Sequence, residues 1–288
     1  MTPRFDAYTA TTRAVKPDVL LGLAAQAAGA GGLHKLRQHQ GRFHGFDHRA
    51  AFRDESGSDW CSVLWGGQHR DLVMLEVTGE RTPGVVAVLR REVEHSCTRV
   101  DSCADLEQPG AWSSVLAIAL DVKKRHGLRG EKRGDWDYPE DGRTLMLGAA
   151  SSAVRVRIYE KGKQPEYRHL ERWDWVRPEV QVRPENTART RYAAASARDV
   201  WGASPYTREI AARVLELQVK PLPPYAARRL NERDRALGWM CAHYGPHILS
   251  LLSDLGGDIE ALGKEILDRV HDVRRRRAVA QGLKRRMH

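Results

Sequence analysis

The stretch VRVRIYEK, residues 154–161, alternates apolar and polar side chains and decides how the middle of the chain folds. Successive side chains of a β-strand point to opposite faces of the sheet, so the pattern predicts a strand over residues 154–160. Its apolar face holds Val154, Val156 and Ile158. Its polar face holds Arg155, Arg157, Tyr159 and Lys161. The strand is therefore expected to bury one face and to place a tyrosine among cations on the other.

Two other segments repeat this alternation. In residues 175–183 the polar row consists of Arg177, Glu179, Gln181 and Arg183. In residues 98–105 the polar row consists of Arg99, Asp101, Cys103 and Asp105. If the three strands share a sheet, one face combines a tyrosine with arginines, a lysine and carboxylates.

This combination of side chains suits phosphoryl transfer. An unperturbed tyrosine hydroxyl has a pKa of about 10, so it needs a site that stabilises the phenolate and polarises the phosphate. Carboxylates that hold a divalent cation, with arginine or lysine beside it, supply both functions. Tyr159 is the candidate nucleophile, and Asp101 with Glu179 is the favoured metal-binding pair. Asp105 is less favoured, because an ideal strand separates it from Asp101 by about 13 Å.

Simpler interpretations of these rows stay open. A strand with one solvated face routinely carries charged residues at every second position without any chemistry. Tyr167 is a rival nucleophile, but it follows the loop KGKQP at residues 161–165 and lacks an alternating strand to position it.

Composition narrows the class of protein. The chain has 47 Lys and Arg against 37 Asp and Glu, a net charge of +10, which favours a polyanionic partner such as nucleic acid. It has no run of about 18 apolar residues and no signal-peptide pattern, so a cytoplasmic protein is expected. The four cysteines form no C-x-x-C pair, which argues against a zinc knuckle or disulfide framework. Gly245 and Pro246 are expected to break the helix that a zinc face shared by His243 and His247 would need.

The order of elements predicts an α+β fold. Strand patterns dominate the first two thirds of the chain, whereas helical patterns follow the capped start Ser204-Pro205 and recur over residues 226–244, 247–255 and 258–281. Residues 126–143 are rich in glycine and charge and predict a long polar loop. We therefore expect an antiparallel or mixed sheet with a polar active face over residues 1–195 and a mainly helical region over residues 196–288.

Candidate DNA contacts follow from the same patterns. On the strands they are Arg155, Arg177 and Arg183, and near the C-terminus they are Arg274, Arg275, Arg276 and Arg277. The basic C-terminal run is equally consistent with a solvated helix face and a frayed tail. Trp173 and Trp175 are suited to stacking on unpaired bases or to packing at a sheet edge. Three other tryptophans, Trp112, Trp201 and Trp239, are expected in the core.

Three segments, taken together, resemble the replication initiation factor (Rep_trans) family of rolling-circle plasmid initiators, relaxase-like proteins of integrative elements and some filamentous-phage initiators. TRVDSCAD at 98–105 is similar to that family's T-R-hydrophobic-D-x-x-x-D strand. The span from TLMLG at 144–148 to RIYEKG at 157–162 resembles its Y-x-G…R-I-Y-x-K block. WVRPEVQVR at 175–183 resembles its R-V-E-x-E-L-R strand.

The chain departs from the family pattern at three positions. Pro178 replaces the usual valine and removes a backbone donor, which predicts an edge strand or a bulge. Gln181 stands where a second acid is common, and Ala150 where a basic residue often follows the glycine.

The resemblance implies a strand-nicking and strand-joining endonuclease that forms a 5′-phosphotyrosyl intermediate at an origin hairpin. It places the nucleophile at Tyr159 and a Mg²⁺ or Mn²⁺ ligand at Asp101 or Asp105, and it aligns the family glutamate with Glu179. It also implies a homodimer encoded by a bacterial mobile element or a phage, with DNA as partner and a host helicase as a further candidate.

Other functions fit part of the pattern. A conjugative relaxase would share the chemistry and differ in its biology. A non-catalytic origin or operator regulator would use the helical back third to bind DNA. A tyrosine recombinase fits poorly, because its tyrosine belongs to a helical Arg, His and Tyr set.

Overall fold

The computed structural model describes residues 1–29, 36–54, 56–225 and 232–285. The chain divides into two compact units, Met1–Ala227 and Arg228–His288. The sequence placed a domain boundary between residues 195 and 196, which lies inside the first unit. Within the described ranges, no helix is long and apolar enough to cross a membrane.

The strands of the described residues form one ten-stranded sheet in the order β2-β3-β4-β5-β1-β6-β10-β9-β8-β7. In chain order they are β1 (Arg4–Thr12), β2 (Leu36–Phe43), β3 (Phe46–Arg53), β4 (Asp59–Trp65), β5 (Val73–Thr78), β6 (Ser96–Cys103), β7 (Gly130–Gly134), β8 (Arg143–Leu147), β9 (Val154–Glu160) and β10 (Val176–Val182). Every neighbouring pair is antiparallel.

The helices of the first unit pack against the sheet, and two long helices make up the described part of the second. In the first unit they are α1 (Pro17–Ala28), α2 (Thr82–Glu92), α3 (Ala111–Arg125), α4 (Ala188–Ala194), α5 (Ala197–Val200) and α6 (Pro205–Val214). The second unit contains α7 (Glu232–Asp254) and α8 (Ile259–Arg285). The sheet followed by helices confirms the predicted α+β class.

The main hydrophobic core lies between one sheet face and α1 to α6. On the sheet side it contains Val156 and Ile158 of β9, and on the helix side it contains Tyr192 and Trp201. Burial of these apolar side chains drives the helices onto this face. The alternation of the strands then leaves the polar rows on the opposite face of the same sheet.

The structure differs from four expectations based on the sequence. The segment 126–143 contains β7 at the sheet edge, where its five residues are exposed. The helix α7 continues through Pro246, so the predicted break between His243 and His247 is absent. Trp239 is exposed on α7 and stacks on His243 instead of lying in a core.

Pro178 also differs from its expected place: it lies in an interior strand with regular register instead of at an edge or bulge. The ladder between β6 and β10 ends at Glu179 opposite Cys103. Because Pro178 lies just beyond that last pair, its missing N–H leaves this ladder intact, and its carbonyl still accepts from Ala104 N.

Candidate functional site

The sheet register brings the three polar rows together on the face opposite the helices. Arg177 of β10 lies opposite Tyr159 of β9. Glu179 lies opposite Arg157 on one side and Cys103 on the other. Side chains directly opposite each other have Cβ atoms about 5 Å apart, and diagonal neighbours are within reach of long side chains. Tyr159, Arg157, Arg177 and Glu179 therefore form one continuous cluster.

Tyr159 occupies the centre of this cluster and is 3% exposed. The Arg157 guanidinium lies 4.4 Å from its ring centroid, and Lys161 Nζ lies 5.9 Å from it. Burial raises the pKa of Tyr159, and the charge of Glu179 adds to the shift while Arg157 and Arg177 oppose it. The phenol is therefore protonated at neutral pH, so attack by its oxygen requires a proton acceptor.

Glu179 has the properties of that acceptor. It is buried, lies diagonally across from Tyr159 in the register of β10 on β9, and accepts a hydrogen bond from Arg157 Nη2 at 2.7 Å. Burial raises the pKa of Glu179 to about 7, although the charge of Arg157 opposes the shift. A carboxyl group that titrates near neutral pH is well matched to general acid–base catalysis.

Arg177 is held by two carboxylates, one of which the sequence did not point to. Its guanidinium donates to both oxygens of Asp105 at 2.7 and 2.9 Å, and to Asp6 Oδ1 at 2.9 Å. Burial opposes ionisation of Asp105, but the bonds from Arg177 and Arg4 prevail and lower its pKa to about 2. Arg177 is therefore a fixed cation directly opposite the tyrosine.

Strand alternation alone does not place Asp6 at the site, because β1 contains a β-bulge there. Simple alternation would place Asp6 on the core face with Tyr8, which is fully buried there. The register of β1 on β6 shifts between Phe5 and Ala7, and this shift turns Asp6 toward Arg177 and Cys103. No feature of the sequence marks the bulge.

Lys161 lies among three aromatic rings at the end of β9. Its Nζ is 3.7 Å from the Tyr167 ring centroid and 5.9 Å from those of Tyr159 and Trp175. Burial, with the charge of Arg177, lowers the pKa of Lys161 to about 8. The rival tyrosine, Tyr167, thus belongs to the same cluster, where burial raises its pKa.

The two tryptophans considered for base stacking differ in exposure. Trp175 is 5% exposed, and its indole Nε1 donates to Asp105 Oδ1 at 2.7 Å. Trp173 is 52% exposed and lines a surface cavity with Lys163 and Arg168. Of the two, Trp173 is the one whose ring is accessible to a ligand.

The carboxylates expected to bind a metal ion are each paired with basic or amide groups instead. Asp101 accepts from Arg99 and Gln181, Asp105 from Arg4, Arg177 and Trp175, and Glu179 from Arg157. Among the described residues, no three His, Cys, Asp or Glu side chains are grouped to hold a metal ion. In this arrangement the set Asp101, Asp105 and Glu179 does not fit a shared metal centre.

The remaining predicted DNA contacts lie in different places. Arg155 lines a cavity on the polar sheet face. Arg183 is exposed beyond the end of β10, and Arg275 and Arg276 are exposed on α8. The side chains of Arg274 and Arg277 fall outside the described part of the structure.

Comparison with known proteins identifies a structure with a similar fold. It is described as the rolling circle replication initiator protein from Geobacillus stearothermophilus, with a TM-score of 0.50 and 17% sequence identity. The similarity covers 78% of this chain and 99% of that one. No protein-family model and no curated protein matches the chain. At this identity the similarity establishes a shared fold.

Proposed function

We propose that this chain is a rolling-circle replication initiator that nicks and rejoins one DNA strand through Tyr159. The observation that carries the proposal is the position of Tyr159 among Arg157, Arg177 and Lys161. This cluster lies on the sheet face opposite the helices, in a fold similar to that of a rolling circle replication initiator. Cations beside a tyrosine stabilise both the phenolate and the charge that develops on a phosphate under attack.

The chemistry follows from the groups around the tyrosine. The Tyr159 oxygen attacks the phosphorus of one phosphodiester while its proton passes to Glu179, and the bond from phosphorus to the 3′ oxygen breaks. The departing 3′ oxygen takes a proton from Lys161, whose pKa of about 8 permits this transfer at neutral pH. The 5′ phosphate stays on the tyrosine.

Strand joining is the reverse reaction. A 3′-hydroxyl gives its proton to Lys161 and attacks the phosphotyrosine. The bond from phosphorus to the tyrosine oxygen breaks, this oxygen takes a proton from Glu179, and a phosphodiester forms again. The covalent bond to Tyr159 preserves the energy of the original linkage, so joining needs no nucleotide cofactor.

Arg177 and its two carboxylates have a positioning function in this scheme. Asp105 and Asp6 hold the guanidinium across from Tyr159 with three hydrogen bonds. A preorganised cation stabilises a transition state without reorganisation at the moment of reaction. We assign Arg177 to the charge that builds up on the phosphate oxygens.

Divalent metal dependence belongs to the proposal as an implication of the family resemblance. The carboxylates that would bind Mg²⁺ or Mn²⁺ are paired with arginines, so binding would require those pairs to separate. A nicking assay after chelation, with Mg²⁺ or Mn²⁺ added back, tests this dependence. Nicking that persists in the chelator would assign the charge stabilisation to the arginines and Lys161 alone.

Membership of the replication initiation factor family, a homodimer and a host helicase partner are further parts of the proposal. They rest on the three motif resemblances, and sedimentation of the purified protein tests the dimer. A conjugative relaxase would give the same reaction, and a transfer operon beside the gene would favour it.

The test is incubation of labelled origin hairpin DNA with the wild-type protein, Tyr159→Phe and Tyr138→Phe. Tyr138 is an exposed tyrosine outside the cluster and serves as the matched control. We expect nicks with wild type and Tyr138→Phe and none with Tyr159→Phe. Binding without nicking by the wild-type protein would instead identify a non-catalytic regulator, for which Tyr159→Phe leaves every DNA activity intact.

A further inference from the structure

A cavity on the polar sheet face is lined by four arginines. Its volume is ≈ 280 Å³, and it extends from β6 across β10 and β9 to β8 and β7. The basic lining residues are Arg99, Arg133, Arg155 and Arg157. The other lining residues are Thr144, Met146, Glu179 and Gln181. The one carboxylate that lines the cavity is Glu179, so guanidinium groups dominate its charge.

Among the described residues, Arg155 is the arginine of this cavity that has no carboxylate within ion-pair distance. Arg99, Arg133 and Arg157 each pair with a carboxylate. Within the described residues, Arg155 forms no ion pair, and its Nε is buried without a hydrogen-bond partner. The Nε of Arg157 is likewise buried and unpartnered. Buried donors without partners are costly, so these two groups fit an acceptor supplied by a ligand.

The cavity adjoins the proposed nucleophile. Thr144 lines the cavity and lies directly opposite Tyr159 in the register of β8 on β9. Arg157 contacts the Tyr159 ring and also lines the cavity. Arg155 and Arg157 are two residues apart on one strand face, a separation of about 6.6 Å along the chain. A ligand in the cavity would therefore continue directly from a group bound at the tyrosine.

We propose that this cavity binds a backbone phosphate of single-stranded DNA, next to the phosphate presented to Tyr159. The proposal deepens the proposed function and rests on it for the identity of the neighbouring phosphate. Arginine forks bind phosphate oxygens with two parallel hydrogen bonds, and single strands are bound along grooves that neutralise the backbone. Arg155 provides the main contact, and Arg99 and Arg133 provide the rim.

The test measures how salt changes the binding of a labelled oligothymidylate, by fluorescence anisotropy without divalent metal. The variants are Arg155→Gln, Arg155→Lys, Arg133→Gln and the matched control Arg198→Gln on α5, whose guanidinium donates to Gln218 O. For single strands the slope of log K against log salt changes by about 0.7 for each phosphate contact. Thermal melting followed by circular dichroism verifies the fold of each variant.

We expect Arg155→Gln to weaken binding about tenfold and to lower the salt slope by about 0.7, with Arg198→Gln like wild type. Arg155→Lys should keep the wild-type salt slope, because the positive charge remains. It should lose part of the affinity, because an ammonium group cannot form the two parallel hydrogen bonds of a guanidinium. Equal slopes and affinities for Arg155→Gln and Arg198→Gln would overturn the proposal. If Arg155→Gln fails to fold, Arg133→Gln serves as the test. If the proposal is correct, this variant should lose less affinity than expected for Arg155→Gln, because Arg133 is exposed. If Arg133→Gln binds as tightly as wild type, the proposal is wrong.

Nicking of origin hairpin DNA is scored separately on the same proteins. Nicking by wild type together with equal slopes would contradict the phosphate site and leave the proposed function intact. If Arg155→Gln lowers the salt slope but the wild-type protein does not nick the DNA, the proposed reaction is contradicted. The cavity would then still be supported as a nucleic-acid binding site.

Discussion

At the scale of single residues, the environment of Tyr159 favours charge stabilisation over spontaneous ionisation. Burial and the charge of Glu179 raise the pKa of the phenol, whereas Arg157 and Arg177 lower it. In the proposed reaction the cations stabilise the phenolate once the proton is removed, and Glu179, whose charge acts on Tyr159, removes it. The proposed mechanism therefore makes the rate of nicking depend on the protonation state of Glu179.

The first prediction concerns the pH dependence of nicking. Only ionised Glu179 accepts a proton, and its pKa is raised to about 7, so the nicking rate should rise with pH through about 7. The rate should fall again above about pH 8, because Lys161, the proposed proton donor, then loses its proton. Glu179→Gln should lower the rate by about 10²-fold or more and abolish this rise. Single-turnover nicking from pH 5 to 9 measures both effects. Glu76→Gln, a change at a half-buried acid of β5, is the control and should keep the wild-type profile.

The second prediction concerns the Asp105–Arg177 pair. Asp105→Asn removes the main partner of a guanidinium that is 4% exposed, so unfolding should become easier by about 3 kcal/mol. The pKa of Asp105 is lowered from 3.8 to about 2, so the stabilisation is present above pH 3.8 and is lost as pH falls toward 2. Urea unfolding at several pH values measures this loss. Asp137→Asn, at an exposed position, should change the midpoint little, and equal effects of both variants would contradict the argument.

The polar residues of the site were predictable where strand alternation is regular. Tyr159, Arg177 and Glu179 fall on one face because their strands keep a period of two. Asp6 was not predictable, because a bulge inverts the alternation of β1 at that point. The pairing of Asp101 and Asp105 with arginines was not predictable either, because it depends on which strands become neighbours.

At the scale of elements, the turn after β9 positions Lys161 and Tyr167. Gly162 allows this turn, because a Cβ at that position would lie 1.8 Å from the backbone oxygen of Arg172. Gly162 N also donates to Trp175 O, which ties the turn to the segment entering β10. Any larger side chain must therefore displace a backbone segment next to the site.

The third prediction follows from this close approach. Gly162→Ala should destabilise the protein by about 1–3 kcal/mol and reduce nicking, because the turn moves Lys161 away from Tyr159. Gly22→Ala in α1 is the matched control, since beyond the local helix backbone no atom of the described residues lies within 4 Å of the added Cβ. This control should be neutral or stabilising, because alanine favours a helix. Chemical denaturation and nicking rates measure both variants, and similar losses for the two would contradict the account.

Elements with a strong pattern were predicted closely, and those shaped by tertiary contacts were not. The strand β9 occupies residues 154–160 as its alternation predicts, and α6 begins with the predicted Ser204 cap. The edge strand β7 lies in a segment without alternation and forms by pairing with β8. The helix α7 passes through Pro246, where the local helix-breaking tendency did not prevail.

At the scale of the whole molecule, the proposed site lies entirely within the unit Met1–Ala227, whereas exposed arginines of α8 belong to the other unit. The net charge of +10 favours DNA binding by the chain as a whole. Composition predicts a polyanionic partner. The extent of the first unit depends on the packing of α4 and α5 against the sheet, a tertiary contact that no local pattern encodes.

The fourth prediction separates the contributions of the two units. A chain that ends after Tyr225 should melt cooperatively and keep nicking a single-stranded hairpin loop, because the sheet and its six helices are retained. Its binding to duplex DNA should weaken, with a salt slope lower by about 0.9 for each phosphate contact that α8 provides. Anisotropy titrations at several salt concentrations measure the slope. An unchanged salt slope would show that α8 makes no phosphate contacts. Loss of nicking by a folded truncated chain would place part of the site beyond residue 225.

The most direct test of the central claim is to map the covalent adduct between the protein and nicked DNA. Wild-type protein is incubated with origin hairpin DNA, digested with nuclease and protease, and analysed by peptide mass spectrometry beside Tyr159→Phe and Tyr167→Phe. We predict a nucleotide-bearing peptide in which Tyr159 is linked to the 5′ phosphate, present in Tyr167→Phe and absent from Tyr159→Phe. An adduct on Tyr167, or an adduct that persists in Tyr159→Phe, would contradict the assignment of Tyr159 as the nucleophile.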